Sequence, residues 1–312
     1  MRVKTMNRIR ADRKSWGGRW AIAAVAVLVL AGCVGGDAGR QQQAADVTVP
    51  LVTLDPGSFA YYPSGEFVQG SLPVKPVLGQ QRIDYGFQIM RRQVSQAEYA
   101  ACVADGGCRP LDKLQRQDRD PSLPVVGVSW VDATAYAAWL SARTGQTYRL
   151  PTHEEWAYAA GPALRNDILL VDGDANNPAV RWLAEYEAEA RRGAGPAVPP
   201  QPQPFGTFGE NSAGLLDVGG NVWDWTSTCY SRQTVDEQGR VLVSLGENCG
   251  IRVLGGVHRG YITDFIRDPR TGACSVGVPP TNLGIRLVLD EGGGKAAAGG
   301  GWRERLGLSR QG

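Results

Sequence analysis

The sequence predicts a loop-rich chain whose helices are few and short. Forty-one glycines and 19 prolines stand among 312 residues, and both types interrupt regular structure. Three helix starts are marked by capping residues, each followed by a short periodic stretch. Between the two ends no internal repeat is evident. The chain is 43% hydrophobic and 21% charged, which excludes wholesale disorder and leaves room for one large domain or two small ones.

The N-terminus predicts a membrane address. Seven basic residues, Arg2, Lys4, Arg8, Arg10, Arg13, Lys14 and Arg19, precede an apolar run from Trp20 to Leu30 and then Leu30-Ala31-Gly32-Cys33. A basic head, a short apolar segment and small residues before a cut site describe a signal peptide over 1–32. The cysteine after Leu-Ala-Gly resembles a bacterial lipoprotein signal, with Cys33 the lipidated new N-terminus. Val34, where Asp would retain the protein at the inner membrane, favours the outer membrane by the same resemblance. Residues 33–48 are small and polar and read as a flexible tether. The expected location is the bacterial cell envelope, facing the periplasm.

Removing residues 1–32 takes away seven bases and one acid, leaving 26 basic against 30 acidic residues, a net charge of −4. Such a chain lacks the basic footprint of a nucleic-acid binder. Six cysteines are present. With Cys33 lipidated, five remain in an oxidising compartment, enough for at most two bridges. Of the 15 possible arrangements, the expected one pairs Cys102 with Cys108, around the turn Asp105-Gly106-Gly107, and Cys229 with Cys249, leaving Cys274 over. The second bridge closes a loop worth about 3 kcal/mol on the chain-entropy model.

Within the domain, Ser95 and Glu98 form a capping box that opens a helix through Tyr99 to about Val103. Ser129 opens a second, with Asp132 in its first turn and Gly145 as its stop; Tyr136, Trp139 and Leu140 share one face. Thr152 and Glu155 form another capping box before a short helix with Trp156 and Ala160 on one side. His153, directly after that cap, is expected to be exposed. A weaker helix is expected over 182–192. The five prolines of 193–204 then exclude helix and strand interior and predict an extended surface insertion. From Glu291 onward the chain reads as a Gly-rich disordered tail.

Four blocks carry a family resemblance. The first is Pro124-Val125-Val126-Gly127-Val128-Ser129-Trp130 with Asp132-Ala133 and Tyr136 to Leu140. The second is Tyr148-Arg149-Leu150-Pro151-Thr152 with Glu155-Trp156. The third runs from Gly214 through Asn221-Val222-Trp223-Asp224-Trp225. The fourth is Arg252-Val253-Leu254-Gly255-Gly256, closing with Asn282-Leu283-Gly284-Ile285-Arg286-Leu287. In this order they resemble the sulfatase-modifying factor family, whose founders are the formylglycine-generating enzymes. The resemblance implies a single loop-rich α+β domain over 49–290, related to C-type lectins.

Copper is not expected. The founders resemble copper enzymes that use two cysteines shortly after the Gly-Gly of the fourth block, and thiolates are what Cu(I) prefers. Here that segment, Gly255 to Arg267, contains no cysteine, and no thiol lies between Cys249 and Cys274. A three-histidine iron site, as in the relatives that make sulfoxides, is excluded because only His153 and His258 exist. Calcium is expected from the third block. By resemblance its ligands are the side chains of Asp217 and Asp224 and the carbonyls of Gly220 and Val222, an all-oxygen set that suits the ion.

The same resemblance places the fourth block in the substrate groove. It supplies the cleft candidates His258, Arg259, Tyr261, Asp264, Arg267 and Arg270. Arginines can clamp carboxylates or a peptide backbone, and His258 with Asp264 or Asp268 could form an acid–base pair. The competing role for these residues is to stitch loops together, and Arg286 is assigned to that structural set. Trp139, Trp223 and Trp225 are read as core. The favoured function is a lipid-anchored envelope protein that binds a protein or peptide partner in maturation or assembly. By family analogy the partner is an envelope enzyme or complex, such as a copper nitrite reductase. The alternatives are an active formylglycine-generating or related redox enzyme, in which Cys274 would matter, and a calcium-dependent lectin-like module.

Overall fold

A computed structural model describes residues 49–112, 120, 122–164, 179–180, 183–184, 186–187, 201–269, 273–274 and 282–290. The signal and tether with Cys33, the tail from 291, Arg270 and most of the helix expected over 182–192 lie outside the described residues. Of that helix, 183–184 and 186–187 are helical, as are 179–180 ahead of it.

The chain begins with six short strands: β1 (Leu51–Leu54), β2 (Gly57–Tyr61), β3 (Glu66–Gln69), β4 (Leu72–Val74), β5 (Gly79–Ile83) and β6 (Phe87–Met90). Helices α1 (Gln96–Ala104) and α2 (Trp130–Thr144), strand β7 (Tyr148–Arg149) and helix α3 (His153–Ala160) follow. The second half holds the long strands β8 (Trp223–Val235) and β9 (Val241–Gly255), then β10 (Gly260–Thr263), β11 (Ala273–Cys274), β12 (Leu283–Gly284) and β13 (Val288–Leu289).

All three helices start where the sequence places them, each on a reciprocal capping box. Ser95 accepts from the Glu98 amide, Ser129 from that of Asp132 and Thr152 from that of Glu155. The boxes satisfy amides that no carbonyl of the helix can reach. Gly145 ends α2 in the left-handed conformation, at φ 72°, which costs glycine nothing. Arg92 forks onto Glu98 at 2.8 and 2.9 Å. Burial raises the Glu98 pKa, but that fork and the Ser95 amide prevail and hold it below its ordinary value.

The described strands form three sheets. One has the order β1-β6-β13-β7, one runs β11-β10-β9-β8-β3-β4 with β12 beside β8, and β2 pairs with β5. The C-terminal block closes the fold. β13 lies between β6 and β7, and β12 pairs in parallel with the start of β8, Leu283 opposite Trp223. Leu283, Ile285 and Leu287 are fully buried, in one core cluster with Leu140, Trp225 and Leu254. Burying each such side chain contributes about 1.5–3 kcal/mol. Among the described residues no helix is long and apolar enough to cross a membrane.

Both expected disulfides are formed, Cys102–Cys108 with Cα atoms 5.3 Å apart and Cys229–Cys249 with Cα atoms 4.5 Å apart. The first ties the C-terminus of α1 to the turn after it. A Cβ at Gly107 would overlap the Trp139 ring, so that turn requires glycine for close approach.

Candidate functional site

The third and fourth blocks meet at the start of the β8–β9 ladder, where Asp224 lies opposite Gly255 and Trp225 opposite Leu254. Gly255 and Gly256 are packing residues. A Cβ on the first would overlap the Trp156 ring, and one on the second the Trp223 ring.

Two buried polar centres flank these rings. In the first, Asp224 Oδ2 accepts from Arg286 Nε and from Trp156 Nε1, both at 2.9 Å. Arg286 is fully buried and also donates to the carbonyls of Met90, Arg91 and Leu216. One guanidinium thus holds β6, the third block and the C-terminal block together, the structural role expected of it. In the second centre, His153 is fully buried, which corrects the expectation of exposure. Its amide donates to Thr228 Oγ1, which turns the first residue of α3 inward. Its ring lies between Tyr61 and Trp156, with Nδ1 2.7 Å from the Tyr61 hydroxyl. Burial, and then the Arg259 charge, hold the His153 pKa well below its ordinary value. Burial, and then Glu154, push that of Tyr61 up. Nothing in the local sequence signals this centre, because Tyr61 and Arg259 reach His153 from distant segments.

The cleft candidates of the fourth block turn largely inward. Arg259 is buried, donates to the carbonyls of Tyr62 and Pro63 at 2.6 and 2.8 Å, and sits 5.4 Å from the Tyr61 ring. His258 packs edge-on against Trp223 at 4.7 Å, with Nδ1 2.8 Å from the Arg259 carbonyl. A carbonyl only accepts, so Nδ1 carries the proton. Tyr261 accepts from the Gly65 amide through its hydroxyl. The Asp264 carbonyl accepts from the Trp130 amide. Arg267 grips both oxygens of Asp132, at 2.7 and 2.8 Å, and reaches Asp112 at 3.0 Å. Burial raises the Asp132 pKa, but the Arg267 fork and Ser129 prevail and lower it; the same fork raises the Arg267 pKa. The structure therefore joins Arg267 to the cap of α2 and Arg259 to the 62–63 segment. Phe265, which sequence reasoning did not single out, is 67% exposed in the loop after β10.

The calcium residues divide. Asp217 holds a positive φ of 58°, and its two oxygens accept from the amides of Gly206 and Phe208 at 2.7 Å. Each oxygen keeps a second lone pair. Asp224 Oδ1 is buried with no hydrogen-bond partner in the structure. An orphaned carboxylate oxygen costs about 1–3 kcal/mol or more, and a cation would relieve that cost. Of the expected donors, Asp224 Oδ1 is the oxygen that suits a cation, while both oxygens of Asp217 are engaged by backbone amides. Copper does not fit. The segment after Gly256 holds no thiol, and Cys102, Cys108, Cys229 and Cys249 are consumed in disulfides.

Comparison with known proteins agrees with the four blocks. The chain is 33% identical over 183 residues to a formylglycine-generating enzyme of Streptomyces coelicolor, covering 54% of each chain. It is 36% identical over 127 residues to an inactive C-alpha-formylglycine-generating enzyme 2 of Bos taurus, covering 38% of this chain and 36% of that one. The chain thus spans about half or less of these relatives. A solved structure of PvdO from Pseudomonas aeruginosa aligns with a TM-score of 0.49 at 22% identity, over 77% of this chain and 94% of that one. The family model of the sulfatase-modifying factor enzyme 1-like domain matches residues 38–291, and the chain belongs to that family.

Proposed function

We propose that this chain is a lipid-anchored protein of the bacterial envelope whose formylglycine-generating-enzyme-like domain binds a protein or peptide partner during maturation or assembly. The observation that carries the reading is the segment after Gly255-Gly256. It has no thiol, and its polar side chains His258, Arg259 and Arg267 tie loops together. Copper-dependent oxidation would require two thiolates there. Lipid anchoring rests on the basic head, apolar run and Cys33 of the sequence. Calcium would be held by Asp217, Asp224 and the carbonyls of Gly220 and Val222, where it would rigidify the loop before β8.

Arg259 and Arg267 are structural in this geometry, so changing them should cost stability before it costs partner contacts. Among the described residues of 257–269, Phe265 is the exposed one, and aromatic side chains including Phe are enriched at interface cores. Two measurements test the proposal. The disulfide-intact protein is supplied with Cu(I), oxygen and a sulfatase-motif peptide. No aldehyde is expected, and aldehyde formation would restore the oxidase reading. The protein is then used to capture partners from an envelope extract of its own source. Capture that weakens with Phe265→Ala is expected; no stable partner would overturn the binding reading.

A further inference from the structure

The Cys229–Cys249 bridge is more than a staple. The two sulfurs and a carboxylate oxygen of Glu247 all lie within 4.8 Å of one another. Both cysteines are part-exposed and Glu247 is exposed, so solvent and ions reach the group. Arg252 NH1 donates to Cys229 Sγ at 3.0 Å and to the Ser227 carbonyl at 2.8 Å, and its guanidinium lies 3.9 Å over the Trp130 ring. The donor aimed at the sulfur is thus held from three sides.

We propose that reduction of this bridge opens a site for a thiophilic divalent cation of the zinc class. A dithiol reductant gives two electrons to the S–S bond and is itself oxidised to a disulfide, leaving two thiols. The cation then displaces the two thiol protons and takes Cys229 Sγ, Cys249 Sγ and a Glu247 oxygen, with a water as fourth ligand. Two sulfurs, one carboxylate and an open position match tetrahedral zinc chemistry. Three anionic ligands balance the dication together with the Arg252 guanidinium. The Arg252 N–H to the Cys229 sulfur would serve as an outer-shell hydrogen bond that orients this ligand. The cysteines lie on the adjacent strands β8 and β9, so the sulfurs stay close once the bond is broken. The site is separate from the third-block oxygens and from the thiol-free segment after Gly256. It is closed in the oxidised protein and open in the reduced one.

The test uses the whole protein carrying Cys274→Ser, reduced with a dithiol, freed of reductant without oxygen and titrated with Co²⁺ and then Zn²⁺ alone. One equivalent of Co²⁺ with thiolate charge-transfer bands, displaced by Zn²⁺, is the expected result, and the unreduced protein should show no thiolate bands. Glu247→Gln should weaken binding about tenfold or more, and Cys229→Ser with Cys249→Ser should abolish the bands. Glu247 lies at the surface, so its variant remains a test even if the double cysteine variant does not fold. Thiolate bands in the unreduced protein, their absence in the reduced one, indifference to Glu247→Gln, or loss of the bands in a Cys102→Ser, Cys108→Ser variant instead would each overturn the proposal.

Discussion

The two ends of the β8–β9 ribbon are built alike and fare differently. At the near end, Asp224 faces Gly255 and Trp225 faces Leu254, and all are buried. At the far end, Thr234 faces Val243 and Val235 faces Val241. There Val241, Leu242, Val243 and Leu245 are each more than half exposed. Both ends are antiparallel ladders, the far end rich in Val, which favours strands, and the near end carrying Asp224 and Gly255, which do not. The near end is covered by α3, the Arg286 segment and the Gly-Gly packing; the far end has β3 beside β8. On the outer side of β9, no strand pairs with 241–250 among the described residues. Burial is therefore decided by what else the chain brings.

The near end should break hardest at Arg286. Arg286→Met strands Asp224 in the interior and removes the donors of three carbonyls, so a loss of about 3–5 kcal/mol is expected from the urea midpoint. A loss below about 1 kcal/mol would show that another contact holds this end. The proposed calcium would act on the same carboxylate. Free calcium at roughly 100 times its dissociation constant should raise stability by about 2.7 kcal/mol, read as a higher melting temperature that a chelator reverses. No shift at millimolar calcium would remove the ion from this loop.

His153 gives the near end a pH dependence. Its folded pKa is depressed, so the unfolded chain takes up the proton first. Its contribution is complete above the unfolded value of 6.5 and is lost as pH falls below it, by at most about 1.4 kcal/mol per pH unit. His153→Gln should flatten the stability curve just below pH 6.5. The steeper acid limb should remain, where Glu98 and Asp132, whose pKa values are also depressed, lose their charges. A variant curve parallel to the wild type would assign the dependence elsewhere. The smallest effect belongs to the far end. Val243→Lys should change stability by no more than about 0.5 kcal/mol while reducing association at high concentration, measured by light scattering, because a charge blocks edge-to-edge pairing. A large destabilisation would mean that this end is packed after all.

Much of this was legible where the physics is local. A capping box joins residues three apart, so Ser95 with Glu98 and Thr152 with Glu155 could be read directly. Cys102 and Cys108 flank one turn. The residue after a cap is usually free to face solvent, whereas Tyr61, Thr228 and Trp156 draw His153 inward. Nothing near Arg267 in sequence signals its structural role, because its partner, Asp132, is 135 residues away.

By itself the sequence determined the helix starts, the short Cys102–Cys108 bridge, the family and the lack of a thiol pair in the fourth block, since each depends on residue types at short spacing. Only the tertiary structure decided which polar side chains face inward, which end of the β8–β9 ribbon is covered, and that Glu247 meets the Cys229–Cys249 bridge. Those outcomes depend on desolvation and on contacts between distant segments, which have no local signature to read.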